Sequence, residues 1–248
     1  MFITLRFRII PQSKKDYQEL SKLMRLYSSA FRYAYNRFLD NYSKNEVYHL
    51  IRQVFKDLPS WYANSAIEEA IKKLKSIKSQ GINPRKVVFG GKRNFEKLCK
   101  RNLQGWRIEE IKREWYERRK GRLVSIGHTS SGGNPNIKFV LEDEGIYLQI
   151  TSTRKRKLIK ARVRRKVRNK KDKWIILISM LLEGKEFPYT IELKKINSKI
   201  YGYVSFQIST PEIKITKENG VIGIDINAKP FHLAIAEINK DGNLISYK

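Results

Sequence analysis

Cysteine is nearly absent: Cys99 is the single thiol in 248 residues. A disulfide within the chain is excluded, as is any zinc site that takes two or more cysteines. Histidine is almost as scarce, and His49, His128 and His232 stand far apart with no ligand spacing. Acidic residues are few against the basic ones: 24 Asp and Glu face 52 Lys and Arg, for a formal net charge of +28 and a pI near 10.1. Long apolar runs are missing too. The longest, Trp174 to Leu182, falls well short of the roughly 20 residues that cross a bilayer. Arg6 and Arg8 break up the apolar start, so the N-terminus does not read as a signal peptide. The expectation is a cytoplasmic protein with no membrane partner. Its own composition, 41% hydrophobic and 11% aromatic, is that of a folded chain. A field this positive attracts polyanions, nucleic acid first and an anionic membrane surface second.

Along the chain, Phe2 to Ile10 alternates apolar and polar residues and Pro11 ends the run, which predicts a strand. Ser13 is placed to cap a helix, with Asp16 three residues on. Leu20, Leu23, Met24, Tyr27, Phe31, Ala34 and Phe38 then recur at helical spacing. Val47 to Phe55 repeats the pattern, and Leu58-Pro59-Ser60 stops that helix and caps a third, lined by Trp61, Ala66, Ile67, Ala70, Ile71 and Leu74. Gly90-Gly91 stands beside Lys92 and Arg93. The pair suits either a phosphate approaching the backbone or a turn into the helix around Phe95 and Leu98. A short helix from Ile108 to Arg119 ends in Arg118, Arg119, Lys120 and Arg122, where dipole stabilisation and ligand binding both account for the cations.

From Leu123 the period shortens. Strands are predicted at Leu123–Ile126, Ile137–Leu141, Ile146–Ile150, Ile175–Leu182, Tyr189–Leu193 and Ile200–Ile208, a spacing that suits a small barrel or sandwich. The strand at Phe2–Ile10 can pair into it, leaving the helices as one long insertion. Within this region lies the densest charge: Arg154, Lys155, Arg156, Lys157, Lys160, Arg162, Arg164, Arg165, Lys166, Arg168, Lys170, Lys171 and Lys173, opposed by Asp172 alone. A solvated charged face normally mixes signs. An unmixed one points to a β-ribbon or short helix following a phosphate backbone, which positions a nucleic acid without reading its bases.

After a linker, Gly220 to Asn227 reads as a buried apolar strand with one carboxylate, Asp225, at its centre. Phe231 to Ala236, the turn Asp241-Gly242-Asn243 and Leu244-Ile245 complete a second and third strand. Nuclease cores of the RNase H type open this way, with a metal-binding Asp in mid-strand. A turn-proximal Asp in an ordinary sheet fits the same pattern.

Several stretches together resemble the OrfB/TnpB proteins of bacterial and archaeal insertion sequences, relatives of the type V CRISPR effectors. They are the opening strand with the Tyr27 and Ala34-Tyr35-Asn36 helix, Leu58 to Ala66, Phe89-Gly90-Gly91-Lys92, Glu117-Arg118-Arg119 through Gly133-Asn134, and Ile222 to Asn227 with Gly242-Asn243-Leu244. They occur in the family's order over nearly the whole chain. The resemblance implies an α+β protein. Residues 1–11 give the first strand of an OB-like wedge barrel, 12–120 a helical recognition insertion, and 121–210 the rest of the barrel with its basic segment 154–173. Residues 211–248 give a linker and the start of an RNase H-like RuvC domain. It implies guide RNA and target DNA as partners in the nucleoid, with base pairing supplying sequence and the protein supplying charge and shape. Asp225 matches the first acid of a Mg2+ nuclease. The family's second and third acids and its zinc ribbon have no counterpart up to Lys248, and Glu237 and Asp241 do not match them. Two-metal cleavage needs several carboxylates, so this chain alone is expected to bind no Mg2+ stably and to cut no DNA.

Competing readings are a non-catalytic RNA- or DNA-binding module, such as a target-binding repressor, and a ribosome-associated basic protein. A nucleotide-binding core that also opens on Gly-Ile-Asp is a further one, but it would need a second glycine-rich phosphate hairpin where this chain has a plain turn.

Overall fold

The computed structural model describes residues 1–100, 105–152, 157–167, 172–184, 187–208, 220–225 and 233–247. The chain divides into two compact units, Met1–Ile208 and Ser209–Lys248.

The first unit is α+β. Its single large sheet is antiparallel, in the order β2-β6-β7-β1-β5-β4-β3. The strands are β1 (Phe2–Pro11), β2 (Arg122–Ser125), β3 (Ile137–Glu142), β4 (Gly145–Thr151), β5 (Leu158–Arg164), β6 (Tyr189–Ile196) and β7 (Lys199–Gln207). Strand β1 therefore sits at the middle, paired with β7 on one side and β5 on the other. Alternation sends Ile3, Leu5, Phe7 and Ile9 into the core and leaves Thr4, Arg6 and Arg8 outside. The sheet curls: the ring of Phe139 on edge strand β3 lies 5.7 Å from Tyr189 on β6 and 5.8 Å from Phe7 on β1. Gly202 on β7 is opposite Phe7, and a Cβ there would lie 2.3 Å from the Phe7 ring. A side chain at that position would displace the ring that fills the curl.

Between β1 and β2 the chain runs through α1 (Lys14–Leu39), α2 (Lys44–Val54), α3 (Ser60–Ser79), α4 (Lys92–Cys99) and α5 (Gly105–Lys120). Ser13 caps α1, its Oγ accepting from Asp16 N at 3.0 Å. Ser43 and Glu46 form a reciprocal capping box at α2. Helix α3 starts at Ser60 behind Pro59 without a side-chain cap, so Ser60 is its first residue and not its cap. Leu20, Leu23, Met24, Tyr27, Ala30 and Ala34 of α1 are buried with Ala63, Ala66, Ile67 and Ala70 of α3, one apolar stripe against another. Trp61 stays 41% exposed, its ring tilted against His128 at 6.0 Å, and does not line the helix core.

The expected strand at Ile175–Leu182 is a helix, α6 (Lys173–Leu182). A continuous apolar run carries no period that separates strand from helix. The deciding signal is Asp172, whose Oδ1 accepts from Trp174 N at 3.0 Å and from Arg165 Nη2 at 2.9 Å. Trp174 and Leu177, three residues apart, then plug the curled sheet, with Trp174 5.6 Å from Phe7. Among the described residues no helix is long and apolar enough to cross a membrane.

The second unit contains a three-stranded sheet in the order β10-β9-β8, with β8 (Val221–Asp225), β9 (Ala234–Ile238) and β10 (Leu244–Tyr247). Strand β8 lies at the edge and is exposed along its length, in contrast to the buried strand expected from its apolar run. Three short strands bury little apolar surface by themselves.

Candidate nucleic-acid interface

The outer face of β7, β1 and β5 gathers cations and aromatics in register. Arg8 is opposite both Arg164 and Tyr201, and Arg6 is opposite Tyr203. The Arg6 guanidinium sits 4.3 Å above the Tyr201 ring and 6.0 Å from Tyr203, and Lys194 Nζ on β6 lies 4.9 Å from the Tyr203 ring. Arg6, Arg162 and Arg164 are exposed. Directly opposed like charges on neighbouring strands destabilise a sheet. Arg8 and Arg164 form such a pair, and the Nε of Arg8 is buried without a hydrogen-bond partner.

The sequence-predicted cations separate into classes by what they touch. Arg164, Lys166, Lys157 and Arg93 are exposed. Arg162 is exposed and donates to the Glu144 carbonyl at 2.9 Å. Lys92 pairs with Glu96 at 3.7 Å, and Arg118 pairs with Glu114, in both cases along one helix. Arg165 is committed inside the protein: Nη1 donates to the Arg6 carbonyl at 2.6 Å and Nη2 holds the Asp172 cap. Arg122, expected among the ligand-binding cations, is instead a structural centre. Its Nε meets Glu192 at 2.5 Å and its Nη2 meets Glu69 at 2.6 Å, joining β2, β6 and α3. Burial works against its charge, yet the two carboxylates hold its pKa above the ordinary value. Burial likewise favours a protonated Glu192, but Arg122 and Lys194 hold that carboxyl below its usual range. Arg154, Lys155, Arg156, Arg168 and Lys171 lie outside the described residues. Within the described part of the basic segment, Leu158–Arg164 forms β5, a strand within the sheet.

A second basic–aromatic site lies between helices. Arg32 of α1 donates from Nη1 to the Arg119 carbonyl at 2.5 Å and from Nη2 to Ser29 Oγ at 3.0 Å. Arg119 donates to the Phe89 carbonyl at 3.2 Å and lies 5.0 Å from the Trp115 ring. Burial, with Arg119 adding repulsion, pushes Arg32 down to about 10. Gly90, at φ +100°, lets the backbone pass against Trp115, whose Nε1 would lie 2.7 Å from a Cβ there. Gly90-Gly91 is thus the turn into α4, the second of the two readings of that pair.

Asp225 ends β8 opposite Ala234, and Glu237 on β9 is opposite Ile222. Strand alternation puts the two carboxylates on opposite faces of the sheet. Among the described residues no three His, Cys, Asp or Glu side chains converge. The described residues do not by themselves make up a two-metal centre.

Sequence reasoning missed Arg6, Arg8, Tyr201 and Tyr203 as a group, and Arg32. The alternation of β1 and β7 already put the first four on one side of their strands. Their adjacency needed the pairing of β1 with β7, across some 200 residues of chain.

These features define an α+β protein whose antiparallel sheet carries a basic, tyrosine-bearing face. Residues 2–220 match the family model described as the SSO2105 N-terminal domain, and the chain belongs to that family. The description names a domain and no activity. No curated protein matches the chain.

Proposed function

We propose that the chain is the nucleic-acid-binding amino-terminal part of an RNA-guided DNA endonuclease of the OrfB/TnpB kind, holding guide RNA and target DNA. The observation that carries this is the outer face of β7, β1 and β5, where Arg6, Arg8, Arg162 and Arg164 stand together with Tyr201 and Tyr203. Guanidiniums neutralise phosphates, tyrosine rings accept unpaired bases, and a phosphate backbone relieves the repulsion between Arg8 and Arg164. Two further features support the reading. The curled sheet, split by a helical insertion after β1, suits an OB-like wedge. The sheet order β10-β9-β8, with Asp225 on the first strand, suits the opening of an RNase H-like domain. The match to a family described as an N-terminal domain fits a role as part of a larger machine. Mg2+ chemistry belongs to the complete nuclease, and no step of it is assigned to this chain.

Filter binding tests the proposal. The full chain is titrated into RNA transcribed from the end of the DNA element that encodes it, and into a scrambled RNA of equal length. Tighter binding to the first, by tenfold or more, is the expected result. Equal affinities would support the alternative of a general basic RNA- or DNA-binding module, and failure to bind either RNA would overturn both.

A further inference from the structure

The groove at Arg32 and Arg119 has a volume of about 550 Å³ and draws its lining from α1, the end of α2, the Val87–Phe89 segment, α4 and α5. Its chemistry is unusual. Among the described residues no carboxylate lines it, yet it holds two guanidiniums. Both spend N–H groups on neutral oxygens, and Arg32 is bonded to the backbone of the residue that repels it. Around these cations stand Tyr33, Phe55, Phe95 and Trp115. Phe95 is 41% exposed and lies 6.0 Å from Trp115 at an interplanar angle of 32°, so the two rings stand side by side at the groove. The Trp115 Nε1 is buried with no hydrogen-bond partner. A partly buried cation pair with no counter-ion among the described residues calls for an anion. Aromatic surface beside it calls for a flat, apolar group.

We propose that this groove holds one unpaired nucleotide of a single-stranded nucleic acid, with Arg32 and Arg119 on its phosphate and Phe95 and Trp115 against its base. The proposal rests on the nucleic-acid reading above and adds to it a site separate from the sheet face, supplied by other residues. A phosphate group satisfies both guanidiniums through charge-assisted bonds. A base of any identity stacks on the rings, so the site favours strands that carry bases and does not select among them.

Fluorescence anisotropy of the full chain tests it, with labelled single strands of about 12 nucleotides. One strand is RNA, one is DNA, and one has the same phosphate backbone with no bases. The wild type is expected to prefer the base-bearing strands by about tenfold. F95A, on an exposed ring, and W115L should remove that preference. R32Q should weaken binding of all three strands, and R32K should restore most of it. R6Q, on the sheet face, should weaken binding while the preference for bases remains. The RNA and DNA arms identify which strand the groove takes. A preference that persists in F95A, with affinity unchanged in R32Q, would overturn the nucleotide site while leaving the proposed function standing. No binding of any strand by the wild type would sink both.

Discussion

At Arg122 the physical chemistry of a single residue decides between ligand binding and architecture. A basic residue after a helix C-terminus invites either reading, and the sequence shows only Arg118, Arg119, Lys120 and Arg122 in a row. In the fold, Glu69 and Glu192 converge on Arg122 from separate elements, and its side chain is 29% exposed. Removing the cation leaves two part-buried carboxylates facing each other's charge. Arg122→Gln should therefore cost about 3 kcal/mol of stability at neutral pH, read from denaturant midpoints. The pH dependence has a definite sign. Glu192 is held below its ordinary 4.5, so its pairing with Arg122 contributes fully above that value. The contribution is lost as pH falls through the folded-state pKa. In the variant the orphaned, part-buried carboxylates lose the cation that held them down and take up protons at higher pH than in the wild type, which relieves their repulsion. The stability gap between wild type and variant should thus narrow as pH drops below 4.5. A gap that stays constant into acid would contradict the role given to Arg122.

At the scale of elements, the strand β1 ties the molecule together. Its alternation was readable in Phe2 to Ile10 without any structure, and so was the amphipathic stripe of α1 from Leu20 to Ala34. Both are periodic over many residues, and a long period survives most tertiary influences. Helix α6 was not readable, because Trp174 to Leu182 is apolar at every position but Ser179 and its cap depends on Arg165 as well as Asp172. The Arg32–Arg119 groove was likewise hidden. Its residues come from five segments, and no local pattern marks them as neighbours. The sheet face was half legible. Arg162 and Arg164 stood out by charge density, whereas Arg6, Arg8, Tyr201 and Tyr203 joined them only through strand order. Strand β7 carries its own test. Gly202 lets Phe7 fold over the β7 backbone and seal the curled sheet. Gly202→Ala should lower stability by about 1–3 kcal/mol through overpacking, and thermal unfolding followed by circular dichroism would register it. An unchanged midpoint would mean that the ring is free to move aside.

Taken whole, the molecule carries a formal net charge of +28, with cations on the sheet face and in the helical groove. Ion pairs within the fold account for Arg122, Arg165, Lys92 and Arg118, so charge density alone overstates how many cations meet a ligand. Those on the outer face of β7, β1 and β5 form one group positioned to do so together, and Arg32 and Arg119 in the groove form another. Each phosphate they neutralise releases counter-ions, and the affinity for a single strand should fall with salt at about 0.7 per contact on a double-logarithmic plot. The most direct test of the central claim is that slope, measured by anisotropy with one single-stranded RNA over roughly 50 to 300 mM salt. The wild type should give a steep slope, and the double variant Arg6→Gln with Arg164→Gln should reduce it by about 1.4. A wild-type slope near zero, or one that the double substitution leaves unchanged, would contradict the assignment of this face to a phosphate backbone.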